Sequence, residues 1–207
     1  SYVLFGMCQD QLAHMLMPVG CYSKEQVRHM AEEASLPNAH KPDSQDICFI
    51  PWGDYRTFLS QRATAVPGKI VDRHGNLLGE HQGIESFTVG QRRGLGVASQ
   101  SPMYVVDIDP ERGEVMVGPE EELYREGLRT DKANYVGGLF PREPMEITVK
   151  IRYKSPEVPA TLYPETPGAL VRFRQPQRAI TPGQAVVFYN GEEVLGGGFI
   201  DRAVRMA

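Results

Sequence analysis

The chain has 207 residues, 41% of them hydrophobic and 23% charged, the balance expected of a soluble globular protein able to bury a sizeable core. No apolar run approaches the ~20 residues of a membrane span, and no signal-peptide pattern is present. The net charge of -4 is unevenly spread: residues 1–127 hold 11 Lys/Arg against 18 Asp/Glu, whereas residues 128–207 hold 11 against 8, which hints at a polyanion-facing module at the C-terminal end.

In chain order, residues 1–62 read as a helical region. The opening Ser1-Tyr2-Val3-Leu4 has no initiator methionine and reads as an internal start, so the chain is expected to be a piece of a larger protein. Asp10–Met17 is rich in helix formers and stops at Pro18 and Gly20. Ser23 and Gln26 match a capping box, and Val27, Met30, Ala31 and Ala34 follow at helical spacing as one apolar stripe. The stripe predicts a surface helix packed on something larger.

Asp43-Ser44-Gln45-Asp46 then runs into Ile47-Cys48-Phe49-Ile50, closed by Pro51-Trp52-Gly53. A lone thiol in an apolar segment is either a small core residue or a nucleophile. Asp43 and Asp46 disfavour a thiolate, and no cation lies within four residues of Cys48, so any activation must come from a distant group. Cys8, Cys21 and Cys48 are odd in number and form no CxxC pair. The five histidines, likewise scattered, have no metal-ligand spacing. A disulfide framework, a zinc site and a thiol-redox protein are therefore disfavoured, and a reducing cytoplasmic setting is expected.

From residue 63 to 125 a small β-rich unit is predicted. Lys69–Asp72 and Asn76–Gly79 flank a hairpin turn, Ile84–Val89 leads into Gly90-Gln91-Arg92-Arg93-Gly94-Leu95-Gly96, and Met103–Ile108 pairs with Glu114–Gly118. The glycines let the 90–96 backbone approach a ligand closely. No helix follows the loop, which argues against a nucleotide fingerprint. Glu120–Arg125 reads as one helical turn and an acidic linker.

Residues 128–207 carry short strands at Met145–Tyr153, Val158–Tyr163, Ala169–Arg174, Gln184–Tyr189 and Glu193–Gly196, with an Asn190-Gly191 hairpin turn, and predict a closed barrel. Period-two alternation places Lys150, Arg152 and Lys154 on one face, and Arg172 and Arg174 on another strand. Strand arginines are usually a solubilising face. Here the net-positive unit, with Tyr153 among the cations, favours RNA phosphates and a stacked base.

Asp-Ser-Gln-x-Ile-Cys-Phe-Ile, Tyr-Ser-Lys-Glu-Gln-Val-Arg, Phe-Thr-Val-Gly-Gln-Arg-Arg-Gly-Leu-Gly, Lys-Ile-Arg-Tyr and Thr-Pro-Gly-Gln-Ala-Val-Val-Phe-Tyr together resemble the tRNA-specific 2-thiouridylases (the MnmA family). The resemblance covers essentially the whole chain. It implies an α+β protein: the helical end of an α/β ATP-pyrophosphatase-type (PP-loop) catalytic domain, a β-rich central domain and a C-terminal antiparallel β-barrel. It implies a reaction in which O2 of the wobble uridine is adenylated and replaced by sulfur. Cys48 would be the persulfide-carrying cysteine, and a persulfide-carrying donor protein would load it. Arg152, Tyr153 and Gln184 match tRNA-contact positions, and the Arg92-Arg93 loop is expected to face RNA. ATP with Mg2+ would bind upstream through a Ser-Gly-Gly-x-Asp-Ser loop that, like the family's first catalytic cysteine, does not occur here. The chain alone is therefore expected to be inactive. The rival expectation is a tRNA- or ribosome-binding adaptor with no chemistry.

Overall fold

A computed structural model describes residues 2–42, 58 and 65–205. The chain divides into two compact units, Gln11–Thr64 and a larger one made of Ser1–Asp10 with Ala65–Ala207. The Cys48 segment lies outside the described residues.

In the smaller unit the expected capping box is present. Helix α2, Lys24–Glu33, starts where the Ser23 hydroxyl accepts from the Gln26 backbone N–H at 3.3 Å and the Gln26 side chain accepts from the Ser23 N–H at 2.7 Å. Val27, Met30 and Ala31 form its half-buried face. Helix α1 covers only Gln9–Ala13 and frays through His14 and Met15 into i→i+3 turns, short of the expected Met17. So short a helix buries no side chain here, and isolated helices below ~12 residues are marginal.

The larger unit holds two β modules. The first is a four-stranded sheet in the order β2-β1-β4-β3, from β1 (Gly68–Val71), β2 (Leu77–His81), β3 (Tyr104–Asp109) and β4 (Glu114–Gly118). Both expected hairpins form, and β1 lies parallel to β4. Asp72 closes the first turn by accepting from the backbone N–H groups of His74 at 2.8 Å and Asn76 at 2.9 Å. Ile84–Ser86 is a 3-10 turn rather than a strand, and it brings Ile84 and Phe87 onto the core of Ile70, Val105, Val115 and Val117.

The second module is a closed antiparallel barrel in the order β10-β5-β8-β7-β6-β9. Its strands are β5 (Tyr124–Tyr135), β6 (Met145–Lys150), β7 (Val158–Pro164), β8 (Ala169–Arg178), β9 (Ala185–Asn190) and β10 (Glu193–Val204). Alternate residues such as Ile147 and Val149, Val171 and Phe173, and Val186 and Phe188 fill the interior, as period-two geometry requires. The α+β class and the closed barrel match the expectation.

Three details differ from it. Strand β5, whose twelve residues include five charges, has only Tyr124 and Arg125 inside the expected linker, and no element is expected over its remaining residues. It is a strand because Leu128 and Thr130 point into the core. Strand β10 continues through Gly196-Gly197-Gly198, where a loop would be expected. A Cβ at Gly196 would lie 2.0 Å from the Asn134 carbonyl oxygen and one at Gly198 2.2 Å from that of Lys132, so glycine is what lets β10 sit this close to β5. The β9–β10 loop is Gly191-Glu192, one residue later than expected. Of these two only Gly191 has a positive φ, +60°, which suits a type II′ rather than a type I′ hairpin.

The two modules meet at a shared cluster of Tyr104, Val106, Leu123 and Ala179, with Val89 against it. Arg178 reinforces the joint, pairing with Glu120 at 3.0 Å and lying over the Tyr104 ring at 5.3 Å. The first residues of the chain also belong here. The Asn134 side-chain amide donates to the carbonyls of Phe5 at 2.7 Å and Met7 at 3.0 Å, and the Tyr2 hydroxyl donates to that of Ala185 at 2.7 Å.

Candidate functional site

The five barrel cations expected to act together separate into two groups. Strand β6 ends at Lys150, and residues 151–155 form a turn in which the Ser155 hydroxyl donates to the Arg152 carbonyl at 2.9 Å. Arg152 and Lys154 are therefore not strand neighbours of Lys150, and period-two alternation does not apply to them.

Lys150, Tyr153 and Lys154 surround one end of β6, with Lys154 exposed. Lys150 pairs with Glu157 at 3.8 Å and lies 5.8 Å from the centre of the Tyr189 ring. Tyr153 is 68% exposed, and its ring meets the edge of Tyr2 at 5.7 Å between centroids. Tyr2, Lys150, Tyr153, Glu157, Tyr189, Gly191 and Glu192 wall a hollow of about 630 Å³. Burial pushes the Tyr2 and Tyr189 hydroxyls above the usual phenol range, Tyr189 further through the nearby charge of Glu157.

Arg152 turns inward. Its guanidinium donates to the Ala179 carbonyl and, at 3.4 Å, to the Thr181 hydroxyl. Ala179 is buried and holds a left-handed backbone, φ +54°. Against it sits Gly90, whose added Cβ would lie 3.0 Å from the Ala179 Cβ. The same corner thus carries Arg152 on one side and the 90–96 loop on the other. Arg92 and Arg93 are exposed on that loop, and Gln91 braces it by accepting from the Thr88 N–H at 3.0 Å and donating to the Arg93 carbonyl at 2.9 Å. Gln184 follows one turn after Thr181, its side chain exposed and its backbone N–H bonded to the Thr181 carbonyl at 3.3 Å. Arg152 and the base of the 90–96 loop therefore meet at Ala179, on the joint between the two modules, and Gln184 follows three residues after Thr181.

Arg172 and Arg174 point outward from β8, while Val171 and Phe173, which alternate with them, point in, as expected. They form the second group. Arg174 pairs with Glu146 at 2.7 Å, and at ~3.3 Å per strand residue Glu146 lies roughly 13 Å along β6 from Lys150.

Among the described residues no group of three or more His, Cys, Asp or Glu is placed to hold a metal ion, and no helix is long and apolar enough to cross a membrane. The 90–96 loop leads into β3 without a helix. Cys48 falls outside the described residues, while Cys8 and Cys21 are exposed.

Comparison with known sequences accounts for this layout. Residues 1–52 match the tRNA methyl transferase HUP domain, residues 56–119 the tRNA methyl transferase PRC-barrel domain, and residues 125–200 the aminomethyltransferase beta-barrel domain. The chain is 48% identical over 208 residues to the tRNA-specific 2-thiouridylase MnmA 1 of Caldanaerobacter subterraneus subsp. tengcongensis, covering 99% of this chain and 57% of that protein. It is 49% identical over 210 residues to the tRNA-specific 2-thiouridylase MnmA of Symbiobacterium thermophilum, covering 99% of this chain and 53% of that protein. The chain belongs to the tRNA-specific 2-thiouridylase family. It spans about half the length of the curated relatives it matches.

Within this 2-thiouridylase framework, sequence reasoning missed Tyr2, Glu157, Tyr189 and Glu192 as neighbours of Tyr153. Tyr2 lies 151 positions from Tyr153, so only the docking of the first residues on the barrel reveals the pairing. It also missed the inward role of Arg152, because Ala179 and Thr181 carry no charge that would mark them as its partners.

Proposed function

We propose that the chain is part of an enzyme that replaces O2 of the tRNA wobble uridine with sulfur, and that its two β modules bind the tRNA. Support comes from the 48% identity to a tRNA-specific 2-thiouridylase across 99% of the chain, together with a cation and amide cluster built jointly by both modules. Arg152, Gln184, Arg92 and Arg93 face the RNA across the joint. Lys150, Tyr153 and Lys154 extend that surface, and Arg172 and Arg174 provide a second phosphate-binding patch on β8. Phosphate contacts of this kind fix orientation, while exposed aromatics and amides read unpaired bases.

Cys48 carries the sulfur. A persulfide-bearing donor protein transfers its outer sulfur to the Cys48 thiolate, leaving its own thiolate behind. With the uracil O2 adenylated, the terminal sulfur bonds to C2 and AMP departs with the oxygen. A second thiolate then breaks the sulfur–sulfur bond, which leaves sulfur on C2 and a disulfide at Cys48, and external thiols reduce that disulfide. ATP and Mg2+ act in this reading through residues other than those described here.

The test is Cys48→Ser in a full-length enzyme bearing this sequence. A hydroxyl is nearly isosteric but cannot hold a sulfane sulfur, so thiolation should vanish while tRNA binding and ATP-dependent activation persist. Continued sulfur transfer from the persulfide donor would overturn the assignment.

A further inference from the structure

We propose that the hollow walled by Tyr2, Tyr153 and Tyr189 receives one unpaired nucleobase that carries an exocyclic amino group. The inference rests on the tRNA-binding reading and adds a base-selective contact to it.

Size and shape come first. The hollow measures about 630 Å³, within the ~300–1,000 Å³ of small-ligand sites and in the range of a single nucleotide. Its aromatic walls are held by different parts of the fold. The Tyr2 hydroxyl is fixed on the Ala185 carbonyl at 2.7 Å, Tyr189 comes from β9, and Tyr153 projects from the turn after β6. Tyr2 and Tyr153 meet in a T-shaped pair at an interplanar angle of 69°. Tyr153 nevertheless remains 68% exposed, so the ring keeps surface on which a base can stack. Gly191, in the β9–β10 turn, contributes no side chain to that part of the wall.

Charge decides what enters. Lys150 is the one cation among the lining residues and Glu157 and Glu192 are both anionic. Lys150 already pairs with Glu157 at 3.8 Å. A phosphate is therefore repelled, and the hollow suits a neutral planar group. The Tyr2 and Tyr189 phenols, with an ordinary pKa of about 10, are neutral at neutral pH. Carboxylates only accept hydrogen bonds. Adenine, cytosine and guanine bring an amino group to meet them. Uracil brings two carbonyl oxygens and a single ring N–H, so it fits least well. The phosphates on either side of the base would remain outside, towards Lys154 and the Arg152 corner.

The test uses the 207-residue chain and fluorescence anisotropy at fixed salt, with labelled oligo-rA, oligo-rC and oligo-rU of equal length and a tRNA transcript as probes. Oligo-rA and oligo-rC should bind more tightly than oligo-rU. Tyr153→Ala should weaken oligo-rA binding by roughly 5- to 150-fold, the loss expected for one stacked base. Tyr153→Phe should retain it, and the salt slope should not change, since no phosphate contact is lost. Glu192→Gln should narrow the preference over oligo-rU. Equal binding of the three oligomers, or oligo-rA affinity unmoved by Tyr153→Ala while tRNA still binds, would overturn the pocket and leave the tRNA reading intact. Failure of the unmodified chain to bind either tRNA or oligomers would overturn both.

Discussion

Arg152→Ala should weaken the fold and the RNA contact together, by separately measurable amounts. The guanidinium donates to the carbonyl of Ala179, a residue with only 2% of its surface exposed. A hydrogen bond from a charged donor contributes about 1.5–3 kcal/mol, and an orphaned buried carbonyl costs ~1–3 kcal/mol. Here the Thr181 hydroxyl also donates to that carbonyl at 3.0 Å, so the oxygen keeps a partner and the lower part of the range applies, about 1–2 kcal/mol. For a chain of this size each kcal/mol moves Tm by ~2–4 °C, so Arg152→Ala should melt roughly 2–8 °C lower. Adding Thr181→Val should lower it further, by removing the remaining donor. The same substitution should reduce the slope of log affinity against log salt for tRNA by ~0.7–0.9, the share of one phosphate contact. Arg152→Lys should restore the slope, because the charge returns. It should not fully restore the melting temperature, because an ammonium lacks the guanidinium fork. An unchanged Tm for Arg152→Ala would refute the pinning of the Ala179 corner. A lowered Tm with an unchanged slope would show that Arg152 serves the fold and touches no phosphate.

Gly90→Ala forces an alanine into φ +90° with its Cβ 3.0 Å from that of Ala179. It should cost at least ~1–2 kcal/mol by the left-handed penalty and weaken tRNA binding in proportion to the loosened loop, both readable by thermal melting and anisotropy. Leu128→Ala, at a fully buried barrel position, should destabilise by about 2–5 kcal/mol in urea titrations. Glu146 is held below its ordinary value first by the Thr161 hydroxyl and then by Arg174. Its stabilisation is therefore present at neutral pH and is lost as pH falls through that lowered value, so Glu146→Gln should flatten the acid limb of Tm against pH. The chain by itself, incubated with ATP, tRNA and a persulfide donor, should yield no 2-thiouridine on nucleoside analysis.

The sequence made most of the fold legible because most of its elements follow local rules. The Ser23–Gln26 capping box, the β1–β2 and β3–β4 hairpins and the outward Arg172 and Arg174 on β8 each depend on residues a few positions apart, and each was found where expected. Strand β5 and the second half of β10 were hidden for the opposite reason. Five charged residues in the one and three consecutive glycines in the other look like loop. Both become strand through long-range pairing, with each other from Gly196 opposite Tyr135 and with β8 and β9 on their other edges. Ile84–Val89 carries apolar residues that fit a strand equally well, and the 3-10 turn it forms instead packs Ile84 and Phe87 on the Ile70 core.

The candidate site divides along the same line. The motifs that resemble the family single out Arg152, Tyr153 and Gln184 as candidates, but they carry no information on how these residues are placed relative to one another. Period-two alternation, which predicts an outward Arg152, holds only as far as Lys150, where β6 ends. The inward bond of Arg152 gives its proposed phosphate contact a physical condition. The guanidinium has five N–H donors, and anchoring one nitrogen on Ala179 and Thr181 limits the rotamers of a side chain that otherwise loses entropy on every contact it makes. An arginine fixed in this way meets a phosphate with less ordering still to be done, and it does so at the corner where Gly90 seats the Arg92-Arg93 loop. The bond lies within the barrel, but it fixes the Ala179 corner on which Gly90 of the other module rests, so the proposed RNA contact and the joint between the modules depend on the same residue.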